Sequence, residues 1–484
     1  MRIAITKPLF AWDCLQDNPS LATVRAFLAA VPDGRLLAGL RAHRGKGRDD
    51  YPVHVLWGVV LLTILLRHPS IEACLADLRR NDALRQLIGI VEEREIPKPW
   101  NLSRFLDVLG QEPHLGNLRA TFDAMVQRLG TAVPDLGRHT AGDSAALNAR
   151  RTRQGLAAKE ASAPTVAAPA ADAADAPTAA KIDYDEHGLP QPAGGRKEYR
   201  DDDGTVTKVV EWFGYKFHLL VDVKHEVTLA YQVTSTKTGD NEMLPALLDQ
   251  AQANLPPDRI ETVAYDKAAD DNDTHQLLHD AGIKPVIQNR SLWKEEPERM
   301  LPGHDGTSNI VYDEAGTVFC YDQISDPPVR HAMAYIGHEP ERQTIKYRCP
   351  AMHEGWECPM AQVCNAGKSY GKTVRVKQEI DLRRFPDVPR ATKQFERLYK
   401  GRTAVERVNA RMKIFWGADD GNITGATRFH AFIGTVLVVH IGLATLLAST
   451  ARHEGPLGKM ELSPIATALR EQLHAKAEPV AGGP

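Results

Sequence analysis

Residues 399–413 read YKGRTAVERVNARMK. Tyr399, Arg402, Glu406 and Lys413 follow one another at intervals of three, four and seven, the spacing that gathers side chains on one face of a 3.6-residue helix. Beside them Val405, Val408, Met412 and Phe415 form an apolar stripe suited to a core. The spacing predicts one helix that buries the second stripe and holds a phenol, a guanidinium, a carboxylate and an ammonium at its rim. A plain solvated face with an Arg402–Glu406 pair at i,i+4 has the same pattern, and such a pair contributes only about 0.2–0.5 kcal/mol. The rest of the chain decides between the two.

The chain has 484 residues, 43% hydrophobic and 25% charged, enough for several domains with sizeable cores. Its formal net charge of −3 excludes a global basic field for nucleic acid, but eleven Lys or Arg stand against six Asp or Glu between positions 381 and 430. A local basic patch can form there. The opening MRIAITKPLFAWDC has no signal-peptide pattern. Six cysteines are too few for a disulfide scaffold, which points to a reducing cytoplasm. Residues 431–449, AFIGTVLVVHIGLATLLAS, are long and apolar enough to span a bilayer. His440 at the centre and Arg428 just before it argue for a buried core helix and against a membrane protein.

Amphipathic helical segments fill residues 1–135, either to bind DNA or to cap the next unit. Residues 136–290 read as the first part of an α/β unit, interrupted at 157–181 by a flexible Ala/Pro/Asp linker. From residue 205 β-branched and aromatic runs alternate with helices, as in a sheet with crossovers. Residues 291–390 read as a β-rich insertion, residues 391–450 as the part carrying Glu406, and 451–484 as a tail.

Two further carboxylates join Glu406. Asp143 lies in AGDSAALNAR, where the first sheet segment begins, and Asp266 ends the short apolar run of ETVAYDKAADD. Ends of strands in such sheets commonly carry chemistry. Three carboxylates brought together suit two hard divalent ions, which can activate water and steady the leaving oxygen of a phosphodiester. Asp270, Asp271 and Asp273 compete with Asp266 in the same acidic loop.

With these motifs the chain resembles the DDE transposases of bacterial insertion sequences, in the group with a Tyr–Arg–Glu–Lys signature. That signature is complete here as Tyr399, Arg402, Glu406 and Lys413. The first and second aspartates of the family match Asp143 and Asp266, and GYKFHLLVD, with Lys216 and His218, resembles its second strand. Asp143-Ser144-Ala145 stands where many relatives have Asp-x-Thr, and Lys267-Ala268-Ala269-Asp270 where many have Gly-Tyr.

The resemblance implies an RNase H-like fold with a five-stranded mixed sheet, Asp143 on its first strand and Asp266 at its fourth. It implies Asp143, Asp266 and Glu406 as catalytic ligands of Mg²⁺ or Mn²⁺, two ions in all. Tyr399, Arg402, Lys413, Lys216 and His218 are then contacts to double-stranded DNA, both the terminal inverted repeats and the target. The expected activity is DNA cleavage at element ends followed by strand transfer, by a homodimer on DNA in the bacterial cytoplasm. A metal-dependent nuclease of the same fold without transposition, and an inactive transposase-derived DNA-binding protein, are the alternatives.

Within the insertion, YRCPAMHEGWECPMAQVC places Cys349, His353, Cys358 and Cys364 with three, four and five residues between them. Three thiolates and an imidazole suit tetrahedral zinc, with Cys320 able to replace His353. Unrelated buried cysteines beside a surface histidine are the competing reading.

Overall fold

A computed structural model describes residues 19–46, 50–150, 182–201, 205–294, 297–303, 309–420, 423–449 and 456–458. The opening segment, the 157–181 linker and nearly all of the 451–484 tail lie outside the described residues.

Among the described residues seven α-helices come first: α1 (Pro19–Ala30), α2 (Gly34–Arg44), α3 (Val53–Leu65), α4 (Ile71–Arg80), α5 (Asp82–Leu87), α6 (Pro99–Leu109) and α7 (His114–Ala132). α3, VHVLWGVVLLTIL, is apolar on every side and is accordingly buried almost throughout. Ser70 and Asn81 start α4 and α5 by accepting the Ala73 and Leu84 amides, 3.2 and 3.0 Å away.

The sheet is mixed. β1 (His139–Asn148) is antiparallel to β3 (Val206–Asp222) and parallel to β5 (Thr262–Tyr265), which is parallel to β6 (Lys284–Ile287). β4 (Thr228–Ser235) pairs the inner half of β3, and β2 (Ala193–Arg200) pairs its outer half. Among the described residues there are thus six strands where the resemblance implied five; β2 is the addition. α8 (Asp240–Asn254) carries the chain from β4 across to β5, and α9 (Asn272–Asp280) links β5 to β6. Residues 217–222 of β3 are all buried, since the sheet is covered on both faces.

The insertion is β-rich as expected. Strands β7 (Glu298–Met300), β8 (Ile310–Asp313), β9 (Val318–Asp322) and β10 (Val329–Ala332) form one sheet. A second sheet contains β11 (Ala334–Glu339), β12 (Thr344–Arg348) and β13 (Thr373–Lys377), with short helices α10 (Pro350–Glu354) and α11 (Ala361–Cys364) between the last two strands. The insertion has its own small core, which includes Ile310, Val318, Ile345, Val376 and Phe385.

The signature segment is not one helix. α12 (Lys393–Lys400) ends at Gly401, α13 (Thr403–Ala410) follows, and residues Arg411–Phe415 form a π turn. A Cβ on Gly401 would stand 2.8 Å from Val223 Cγ1, so the break coincides with a close approach to the sheet. Tyr399 therefore ends one helix, Arg402 precedes the next, Glu406 lies in its first turn, and Lys413 sits on the wider turn. Val405, Val408 and Met412 are buried as expected, but beyond the π turn Trp416, not Phe415, continues the buried stripe.

α14 (Ala426–Ala448) closes the described chain apart from residues 449 and 456–458. It is long and apolar enough to cross a membrane, yet 83% of its apolar window is buried inside the protein. It packs on α1, α3, α6 and α7 and reaches β4, so the helical layer and the sheet share one core. His440, at its centre, is wholly buried, and neither ring nitrogen has a hydrogen-bond partner among the described residues.

Two measurements test this packing. A Cβ on Gly110 would lie 1.9 Å from the Thr427 carbonyl oxygen, where the end of α6 meets the start of α14. Gly110→Ala is expected to cost about 1–3 kcal/mol in urea denaturation through overpacking. Burial, with a smaller contribution from Arg411, pushes His440 down to about 3. The unfolded chain takes up that proton near pH ~6.5 and the folded chain does not. Stability attributable to this group therefore falls as the pH drops below ~6.5, by at most about 1.4 kcal/mol per pH unit. His440→Leu is expected to flatten the loss of stability between pH 7 and pH 5.

Candidate active site

The parallel register of β1 and β5 runs Thr140 opposite Val263 and Ala141 opposite Ala264. Carried forward, it sets Gly142 opposite Tyr265 and Asp143 opposite Asp266. Gly142 supports the continuation: a Cβ there would meet the Tyr265 ring at 2.2 Å, so the strand and the ring remain in contact at this step. Residues at matching positions of neighbouring parallel strands lie about 4.8 Å apart and point to the same face. That continuation sets Asp143, midway along β1, level with Asp266, the first residue after β5.

Arg402 draws in the third carboxylate. Its Nη1 lies 3.3 Å from Asp143 Oδ2 and its Nη2 donates to Glu406 Oε1 at 2.8 Å, so both acids are within one guanidinium's span. Burial opposes the charge on Arg402, but Asp143, Tyr399, Glu406 and Asp266 together raise its pKa. The Asp143 carboxyl is raised, chiefly by burial, although the Ser144 amide at 2.8 Å and Arg402 favour its charged form. Asp266 precedes a short 3-10 turn and accepts the Lys267 amide at 2.6 Å. Glu406 is about half exposed, with a side-chain accessibility of 52%.

Other signature residues complete the rim. Tyr399 stacks on Phe395, with ring centroids 5.7 Å apart and planes at 9°. The Arg402 guanidinium carbon lies 5.9 Å from the Tyr399 ring centroid. Lys413 Nζ is 3.6 Å from Asp419 Oδ2, and the other oxygen of Asp419 accepts the Asn148 amide at 2.6 Å, tying the π turn to the end of β1.

Asp240, at the start of α8, was not singled out from sequence, where an acid in a helix's first turn looks ordinary. Lys216 donates to it at 3.1 Å, and its charge raises the Asp143 pKa. Lys216 also donates to the Thr238 carbonyl at 2.8 Å, so its ammonium is already engaged at this edge. His218, expected to touch DNA, has no exposed side-chain surface and bonds Thr234 Oγ1 at 2.8 Å. It lies inside the doubly covered part of β3, where no DNA reaches it.

The acidic loop sorts its own rivals. Asp270 is fully buried at its side chain and accepts from Arg383 Nε at 2.9 Å, Arg390 Nη2 at 2.8 Å and the Arg290 amide at 2.8 Å, with His275 Nε2 at 3.0 Å. Burial opposes its ionisation, yet His275 and the two arginines hold it down at about 2. It ties the loop to the insertion and to the approach to α12. Asp271 starts α9 by accepting the Thr274 amide at 2.7 Å, and Asp273 is an exposed first-turn acid.

In the insertion, Cys320, Cys349, Cys358 and Cys364 line one cavity of about 20 Å³. Burial and the three other cysteines push the Cys320 thiol up to about 12. His353 is exposed and does not line the cavity, because the short α10 turns it outward. Cys320 stands where the sequence favoured His353.

Three carboxylates are hard oxygen donors, a set suited to Mg²⁺ or Mn²⁺. As the side chains stand, no group of three or more His, Cys, Asp or Glu among the described residues is arranged to hold an ion. Arg402 occupies the position between Asp143 and Glu406 that a cation would compete for.

A family model described as a transposase DDE domain matches residues 181–441. The span contains Asp266 and the whole signature and starts after Asp143. No curated protein matches the chain.

Asp270 and Asp266 are separable by stability. Asp270→Asn leaves two buried guanidiniums without their counter-charge and is expected to cost about 3–5 kcal/mol in chemical denaturation. Asp266→Asn, at a partly exposed position with a single short-range bond, is expected to stay within about 0.5 kcal/mol of wild type.

Proposed function

The chain belongs to the DDE transposase family, whose members act on DNA; on that premise we propose that it cleaves phosphodiesters at the ends of its own mobile element and transfers the freed 3′-hydroxyl into target DNA. The reading is supported by the β1–β5 register, which carried two steps past its last pair sets Asp143 level with Asp266, and by Arg402, which bonds both Asp143 and Glu406.

Asp143, Asp266 and Glu406 are the groups that would hold Mg²⁺ or Mn²⁺. Bound divalent ions would polarise the scissile phosphate and favour loss of a proton from the attacking hydroxyl. The chain's own side chains do the positioning. Arg402, which bonds Asp143 and Glu406 in the absence of substrate, offers a forked donor to a phosphate when DNA arrives. Burial raises the Tyr399 pKa, so its phenol remains a proton donor to a phosphate or sugar oxygen. Lys413, now beside Asp419, supplies a point charge to the backbone a turn farther along. The same acids serve cleavage and strand transfer because both are displacements at a phosphodiester. Both ends must meet before transfer, so the working species is a dimer on DNA.

Glu406→Gln retains shape and removes charge. Its exposed pair with Arg402 contributes only about 0.3–0.5 kcal/mol, so folding and most DNA affinity persist. End cleavage and strand transfer on the chain's own flanking sequences with Mg²⁺ or Mn²⁺ are expected to vanish; wild-type turnover by this variant defeats the reading. Lys413→Ala is expected to weaken binding evenly across sequences and to lower the salt slope by about one. That slope is read from binding isotherms at several salt concentrations.

A further inference from the structure

The cysteines of the insertion are unused by the catalytic reading. Cys320 is on β9, in the first small sheet. Cys349 directly follows β12, in the second. Cys358 lies in the loop after α10, and Cys364 ends α11. These four positions line one cavity of about 20 Å³, close to the size a single water-sized occupant needs. None of the four forms a disulfide.

We propose that Cys320, Cys349, Cys358 and Cys364 form a structural zinc(II) site that pins the two sheets of the insertion together.

Four thiolates are a tetrahedral zinc set with Zn–S distances of about 2.3 Å, and a closed shell of this kind is structural, not catalytic. Two further donors, Asp322 and His331, line the same cavity. Asp322 accepts the Ile324 amide at 3.0 Å and the Ser325 hydroxyl, while the His331 ring packs against Trp356 with centroids 4.8 Å apart. A polar neighbour is already aimed at one sulfur: Asn365 Nδ2 donates to Cys349 Sγ at 3.6 Å, the kind of outer contact that orients a ligand. As they stand, the thiols are not drawn together tightly enough to hold an ion. Each can be redirected by rotation about a single staggered torsion. The insertion also has a reason to need a cross-link: its apolar cluster contains ten buried residues, a small core of the kind that a metal commonly supports. The inference is independent of the transposase reading.

The test uses the full chain, purified under reducing conditions without chelator, then stripped and reloaded with zinc alone. About one zinc per chain is expected. Cobalt(II) in its place is expected to give the visible spectrum of a tetrahedral all-thiolate site. Cys320→Ser is expected to weaken zinc retention against a competing chelator by more than the ~10-fold that loss of an outer contact brings, and His353→Ala to leave it unchanged. Should Cys320→Ser fail to fold, alkylation of the reduced wild-type chain decides. Zinc should protect all four cysteines together, and a site that leaves any of them reactive overturns the assignment. So does a reduced wild-type chain that takes up no stoichiometric zinc, or a His353→Ala chain that loses its metal while Cys320→Ser keeps it.

Discussion

The parallel pairing of β1 with β5 is the constraint on which the site depends. A parallel pair cannot be closed by a tight turn; the chain must leave the sheet and cross back. Here it runs through β2, β3 and β4 on one side of β1 and returns over the sheet in α8 to place β5 on the other. Gly142 makes the final step possible, because any side chain there would collide with Tyr265. A glycine in the strand carries an entropic cost and here lets the Tyr265 ring lie against β1 one step before Asp143.

An ionised Asp143 at this position is unfavourable without an opposing charge. Burial already disfavours ionised Asp143, and Asp240 adds to the penalty. Arg402 opposes both in part and extends to Glu406, so the signature segment is held to the sheet by the charges it will later present to a ligand. Asp270 plays the opposite part five residues from β5. Its charge is sealed among Arg383, Arg390 and His275, where it fastens the insertion to the sheet and has no lone pair to offer outside. Neighbouring acids in one loop are thus divided into one that is open and one that is locked.

Much of the architecture was legible from periodicity. The helical first third, the strand runs from residue 205 and the β-rich insertion all have local patterns that survive folding, and the mixed sheet follows them. The order Asp143, Asp266, Glu406 became persuasive through resemblance to a family; the register that aligns the first two is a long-range property with no local trace. Spacings of three, four and seven fit a straight helix equally well, so the break at Gly401 and the π turn under Lys413 were invisible. His218 looked available because a strand covered on both faces no longer alternates, and its burial depends on what packs over it. Cys320 was second choice to His353 for a similar reason: sequence closeness favoured the histidine, while sheet geometry brings the distant thiol inward.

α14 gives the molecule a temporal asymmetry. The helix that fills the centre of the helical layer is encoded after the entire sheet and insertion, so α1, α3, α6 and α7 leave the ribosome with the faces that will grip it uncovered. Residues 426–448 must emerge before that layer can close, and the growing chain passes through a long interval of exposed apolar surface, the condition under which chaperones engage and aggregation competes. A gene copy cut short by a stop codon or frameshift anywhere upstream of α14 therefore yields a product that never seals. Its open apolar groove leaves such a fragment prone to aggregation.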